Sequence, residues 1–222
     1  MNLESSKNLG GIGAILMFIG LIPIPGGQPF LGIIALVGLI LVLVALHGFA
    51  DYYKESGITN NSIYGLVAGI VGIVIAGAVI VYLFFYTSIL TDFLHKIFPT
   101  WDGKWSTLSG LTPTTSNLKT SDVLPIVGSV LLVLFILWIF AIIAAFFARR
   151  SLKTLSAKTS VGLFSTAALL LLIGAFLSII LIGFLLMWIA ILLIAIAFYQ
   201  IKPQPEQPVA TMAPPPPTPT RV

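Results

Sequence analysis

The chain has 222 residues, of which only 11 are Lys or Arg and 7 are Asp or Glu, so 8 % are charged while 58 % are hydrophobic. An ordinary soluble domain carries about 25 % charged residues, which excludes a water-soluble enzyme, a nucleic-acid reader and a disordered regulator together. The formal net charge is +4, and four windows (8–50, 56–91, 123–148 and 159–201) contain no Asp, Glu, Lys or Arg, the pattern of a multi-pass membrane protein.

The first window is 43 residues long. One helix of that length would run roughly 65 Å, twice the hydrocarbon thickness of a bilayer, so the window must fold back. The break falls at Pro23-Ile24-Pro25-Gly26-Gly27-Gln28-Pro29, because prolines and glycines end a helix and start a turn. Spans are expected at residues 9–22 and 30–50. No small-x-small cleavage site precedes Pro23, so the first helix is expected to be retained rather than removed as a signal peptide. His47 lies near the end of the second span beside Asp51, Tyr52, Tyr53 and Lys54, and is expected at the headgroups.

The second window gives one span, 63–86. Gly65, Gly69, Gly72 and Gly77 recur in it, together with Ala68 and Ala76. Small residues spaced this way let helix backbones approach closely, so these four glycines are the candidate packing residues. Residues 87–122 form an outside loop with thirteen Ser or Thr. Trp101 and Trp105 flank an Asp-Gly turn signal within it and are expected to anchor it at the membrane interface; an aromatic patch for a partner is the alternative. Asp92 and His95 do not make a metal site or an acid–base pair. The fourth span, 123–148, opens with Pro125 and Gly128, and a basic loop with Arg149, Arg150, Lys153 and Lys158 follows.

The last window also has 43 residues but no proline to break it. Its best break lies near Ser178 to Gly183, which gives spans 161–179 and 182–200. Residues 203–222 hold eight of the 14 prolines and are expected to be a disordered or polyproline II tail. Orientation follows from the cations: with the N-terminus inside, eight Lys and Arg fall inside and three, Lys96, Lys104 and Lys119, outside. Both termini are then cytoplasmic.

The expected fold is all-α and transmembrane: six helices arranged as a hairpin, two single spans and a second hairpin, with both hairpins short. Re-entrant hairpins are the alternative to full spans. The hairpins match in shape, and Gly20 aligns with Gly174 and Gly32 with Gly183, a weak sign of an internal repeat. No span contains an Asp, Glu, Lys or Arg. Ion-coupled transport, voltage sensing and intramembrane proteolysis all rest on polar groups at depth. No catalytic residue, metal or cofactor is therefore expected. The expected role is a non-enzymatic structural or accessory subunit acting through helix packing; a transporter or channel for a neutral or apolar solute is the alternative. Membrane lipids are the expected partners, with a second copy or a membrane-complex subunit also possible, and no nucleic acid.

Leu9-Gly10-Gly11-Ile12-Gly13, Gly32-Ile33-Ile34-Ala35-Leu36-Val37-Gly38-Leu39, Leu172-Ile173-Gly174-Ala175 and Ile182-Gly183-Phe184 together resemble a family of small archaeal and bacterial membrane proteins known only as a domain of unknown function. The resemblance covers roughly residues 5–86 and 150–200, leaving out the outside loop and the tail. It implies a prokaryotic membrane protein and brings no catalytic residues.

Overall fold

The structure is a computed structural model that describes residues 2–22, 29–85, 87–116 and 118–202. The expected turn at 23–28, Tyr86 at the end of the third span and the proline-rich tail lie outside the described residues. Within them the chain forms seven α-helices and no strand: α1 (Leu3–Gly20), α2 (Pro29–Tyr53), α3 (Ser56–Phe85), α4 (Ile89–Ile97), α5 (Thr120–Thr159), α6 (Gly162–Leu177) and α7 (Ile182–Tyr199). Five of these, α2, α3, α5, α6 and α7, are long and apolar enough to cross a membrane.

That count is one fewer than the six expected, and α1 makes the difference. Asn2 caps it by accepting the Ser5 N–H at 2.8 Å, and Glu4 sits in its first turn. Glu4 and Lys7 thus occupy the start of the helix, and only residues 8–20 are uncharged, a length of about 20 Å. Two further boundaries differ from expectation. α3 starts at Ser56, seven residues before 63, because polar residues such as Asn60 and Asn61 do not break a helix. The segment from Arg149 to Lys158 is not a loop but the last turns of the 40-residue α5. Charge does not stop a helix; the stop comes at Ser160, whose φ is +58°. α5 also begins at Thr120, so Pro125 lies inside it rather than at its start.

Helix pairs define the architecture. α1 packs on α2, α6 on α7, α3 on α5, and α1 meets α7 to join the two hairpins. The turns α2–α3 and α5–α6 lie at one end, here called the base. Most of the core sits there: Phe49, Ile58, Leu155, Phe164, Phe198 and Ile201 are sealed from solvent. Phe198 stacks near Phe49 at 5.9 Å between centroids and meets Phe164 edge-on at 5.0 Å. Beyond the base, α3 and α5 continue alone towards the far end, where α4 and the loop are.

Candidate functional site: helix contacts and two polar pockets

Several glycines of the two hairpins stand where an added Cβ would meet the backbone of the facing helix. A Cβ added at Gly13 would lie 2.7 Å from the Gly38 carbonyl oxygen, and one at Gly38 2.5 Å from the Gly13 oxygen. Gly20 faces the backbone of Leu31 and Ala35 in the same way. In the second hairpin, a Cβ added at Gly174 would lie 2.9 Å from the Gly183 oxygen and against Met187, and one at Gly183 would meet the backbone of Gly174, Leu177 and Ser178. Gly20 and Gly174 therefore occupy corresponding places, each meeting the start of the returning helix. Close backbone approach gains dispersion contacts where surrounding lipid gives no hydrophobic drive.

The four glycines singled out on α3 divide into two pairs. Gly65 lies against Ala144, Phe147 and Ala148 of α5, and Gly72 lies against the Phe140 side chain. Gly69 and Gly77 lie elsewhere: a Cβ at either would meet nothing within 4 Å. The contacting seam of α3 runs through Ile58, Ser62, Gly65, Gly72 and Ala76. Sequence reasoning missed Gly13, Gly38 and Gly183 as contact residues. The seven-residue spacing of Gly13 and Gly20, which puts both on one helix face, was the signal available.

Polar groups between helices serve the same contacts. The Trp188 indole N–H donates to the Phe18 carbonyl on α1 at 3.0 Å, and Trp138 on α5 donates to the Phe176 carbonyl on α6 at 3.1 Å. Ser151 on α5 is buried and donates to the Ile58 carbonyl on α3 at 2.7 Å. Each ties two helices through a backbone acceptor.

Two shallow polar pockets lie at the ends of the bundle. The one at the α2–α3 corner encloses about 430 Å³ and is lined by His47, Asp51, Lys54, Glu55 and Thr59 among others. His47 Nε2 lies 3.6 Å from Asp51 and its Nδ1 lies 3.4 Å from the Thr59 hydroxyl, with both ionisable side chains mostly exposed. These separations are loose for a working acid–base pair. Glu55 pairs with Lys158 of α5 at 3.0 Å, so the corner ties α3 to α5. The second pocket, about 210 Å³, lies at the far end between α4 and α5, where Lys96 and Asp122 are 3.7 Å apart. No group of three His, Cys, Asp or Glu able to hold a metal occurs among the described residues.

The loop carries its own small aromatic core. Apolar residues of α4 (Ile89, Leu90, Phe93, Leu94, Ile97) alternate with polar pairs at helical spacing. Trp101 is only 4 % exposed. It is enclosed by His95 at 4.9 Å and Trp105 at 5.5 Å, and its indole N–H donates to the Lys104 carbonyl. The structure places Trp101 inside the loop and leaves Trp105, at 58 %, as the exposed tryptophan. The Asp102 carboxylate accepts from the Thr107 hydroxyl at 2.7 Å and the Lys104 N–H at 3.0 Å. Those bonds, the Thr107 one foremost, hold its pKa below the ordinary carboxylate value.

An uncharacterized protein of Methanocaldococcus jannaschii is 28 % identical over 201 residues, covering 90 % of this chain and 94 % of that protein. No solved structure matches. The profile of a family described as "Protein of unknown function (DUF996)" matches residues 34–192, well over half of the chain, and the chain belongs to that family.

Proposed function

We propose that this protein is a non-enzymatic structural or accessory subunit of the cell membrane that acts through helix packing. The observation that carries this reading is where the special residues go. Gly13, Gly38, Gly174 and Gly183 set backbone against backbone, and Trp138, Trp188 and Ser151 donate from one helix to the carbonyl of another. The uncharged stretches that hold the four glycines and the two tryptophans carry no Asp, Glu, Lys or Arg for proton or ion chemistry. All six apolar segments are inserted in the membrane, with the base and both termini on the cytoplasmic side, as the excess of Lys and Arg at that end supports. Membrane lipids, and a second copy or a membrane-complex subunit, are the partners.

Passage of a neutral or apolar solute is the second reading, favoured by the matching positions of Gly20 and Gly174 in the two hairpins, since internal repeats are common in transporters. Purification in mild detergent separates the two. A stoichiometric membrane partner supports the accessory role. A homogeneous monomer that moves solute across liposomes overturns it. Orientation is tested in the naturally cysteine-free chain: Ser109→Cys should react with an impermeant thiol reagent outside, and Ala157→Cys only after permeabilisation.

A further inference from the structure

We infer that the α6–α7 hairpin is re-entrant, its tip staying inside the hydrocarbon, and that the tip and the free outer half of α5 form an apolar ledge for the acyl chains of outer-leaflet lipid. The inference rests on the membrane insertion proposed above, not on the accessory role. Register supplies the first argument. Trp138 bonds to the Phe176 carbonyl near the end of α6, so the hairpin tip lies beside the middle of α5. Counted from Arg149, Trp138 is eleven residues along an uncharged stretch of 26 that ends after Asp122. The hairpin closes about one turn later, which leaves roughly 15 Å of uncharged α5 above it.

Composition of the tip supplies the second argument. Ile179, Ile180 and Ile182 are 63, 63 and 54 % exposed, and Leu181 is 74 % exposed. A turn at the headgroups is built from Gly, Pro, Asn, Asp or Ser, because its backbone faces water. This one instead shows large aliphatic side chains, which are favoured out of water. Three bonds close the turn on itself: Leu181 N–H to the Ser178 carbonyl at 3.0 Å, Phe184 N–H to the Leu181 carbonyl at 3.1 Å, and the Ser178 hydroxyl to the Ala175 carbonyl at 2.8 Å. Bonds made within the turn lower the cost of holding its polar groups away from water. Leu181 has φ +63°, a left-handed position that glycine would fill with least strain, yet a leucine stands there.

The shape of the exposed surface on α5 identifies the occupant. Leu124, Val127, Val130, Leu132, Leu134 and Phe135 are all exposed. At about 100° per residue they spread over roughly 200° of the helix surface. A packed partner takes a narrower stripe, whereas lipid chains wrap a helix from every open side.

The test uses single cysteines in the full chain reconstituted in phosphatidylcholine–phosphatidylglycerol vesicles. Leu181→Cys carrying a fluorophore should be quenched several-fold more by phospholipid with a nitroxide deep in the acyl chain than by one with it at the headgroup. The unlabelled thiol should stay unreactive to an impermeant maleimide from either side. Headgroup-type quenching, or maleimide reaction as fast as that of Ser109→Cys, overturns the inference. Disulfide cross-linking of Leu181→Cys to a second copy, with no lipid quenching, also overturns it. Ile179→Cys on the same tip repeats the measurement if Leu181→Cys does not fold. Quenching depth reads the tip whichever side Ser109 faces, so a reversed orientation is told apart from a failed ledge.

Discussion

The base of the bundle and the outer halves of α3 and α5 are made of the same residue types in opposite surroundings. Phe49, Phe164 and Phe198 at the base are sealed from every side, while Phe135 on α5 is half exposed and Phe85 at the end of α3 is 77 % exposed. In water such a difference would be a fault; in a bilayer it is permitted, because lipid chains are as apolar as leucine. Apolarity alone therefore does not decide which helix faces are buried here. What distinguishes the base is shape: ring-on-ring contacts around Phe198, with Gly10 of α1 lying against the same ring.

The largest effect should come from deleting that shape. Phe198→Ala removes a ring that contacts Phe49, Phe164 and Gly10, and should cost about 3–4 kcal/mol in denaturant unfolding in detergent. Phe135→Ala in the outer half should change the same midpoint by less than about 0.5 kcal/mol. Equal losses would erase the contrast between the two regions.

A smaller effect tests the tie between α3 and α5 at the base. Ser151→Ala loses the buried bond to the Ile58 carbonyl and should cost about 1 kcal/mol, measured as a shift in midpoint. Loss of that carbonyl's side-chain partner should also speed hydrogen exchange at the start of α3 relative to its outer half.

The smallest effect lies in the loop and sharpens the comparison from outside the bundle. Asp102 is more acidic in the folded loop than in an open chain because Thr107 and Lys104 bond to its ionised form. Its contribution is thus fully present above the ordinary carboxylate pKa of about 3.9 and is lost as pH falls through the lowered folded value. Acidification below about pH 4 should loosen the turn around Trp101, seen as a change in tryptophan near-ultraviolet circular dichroism, and leave the helical signal unchanged. Asp102→Asn should abolish that pH response.

The long apolar helices were legible in the sequence because uncharged length sets them, and the break at Ser178 to Gly183 was legible because 43 residues cannot cross once; α4, with Asp92 and Lys96 inside a segment expected to be a loop, was not. Which helix faces meet was not legible. A helix apolar on all sides has no periodicity to read, so Gly69 and Gly72 look alike in the sequence although only Gly72 meets a neighbour. The basic segment after Arg149 reads as a loop by charge, yet Leu152 and Leu155 three apart mark a buried helical face. For the candidate site, the glycine class was legible and the contacting members were only partly so: Gly65 and Gly72 meet α5, while the backbone-on-backbone crossings, Gly13 with Gly38 and Gly174 with Gly183, lie in the hairpins. Trp101 was visible as an aromatic beside a turn, but its enclosure by His95 and Trp105 depends on the fold of the loop.

Close backbone contact in the hairpins, more than the glycine content of α3, holds this chain together. The direct measurement is the thermal midpoint of Gly13→Leu against that of Gly69→Leu in one detergent. A leucine at Gly13 must displace the Gly38 backbone and the start of the Leu41 side chain and should cost about 3 kcal/mol, with a clear drop in midpoint. A leucine at Gly69 meets open space and should leave the midpoint within a degree or two of the parent, about 0.5 kcal/mol or less. A stable Gly13→Leu beside an unfolded Gly69→Leu would contradict the account.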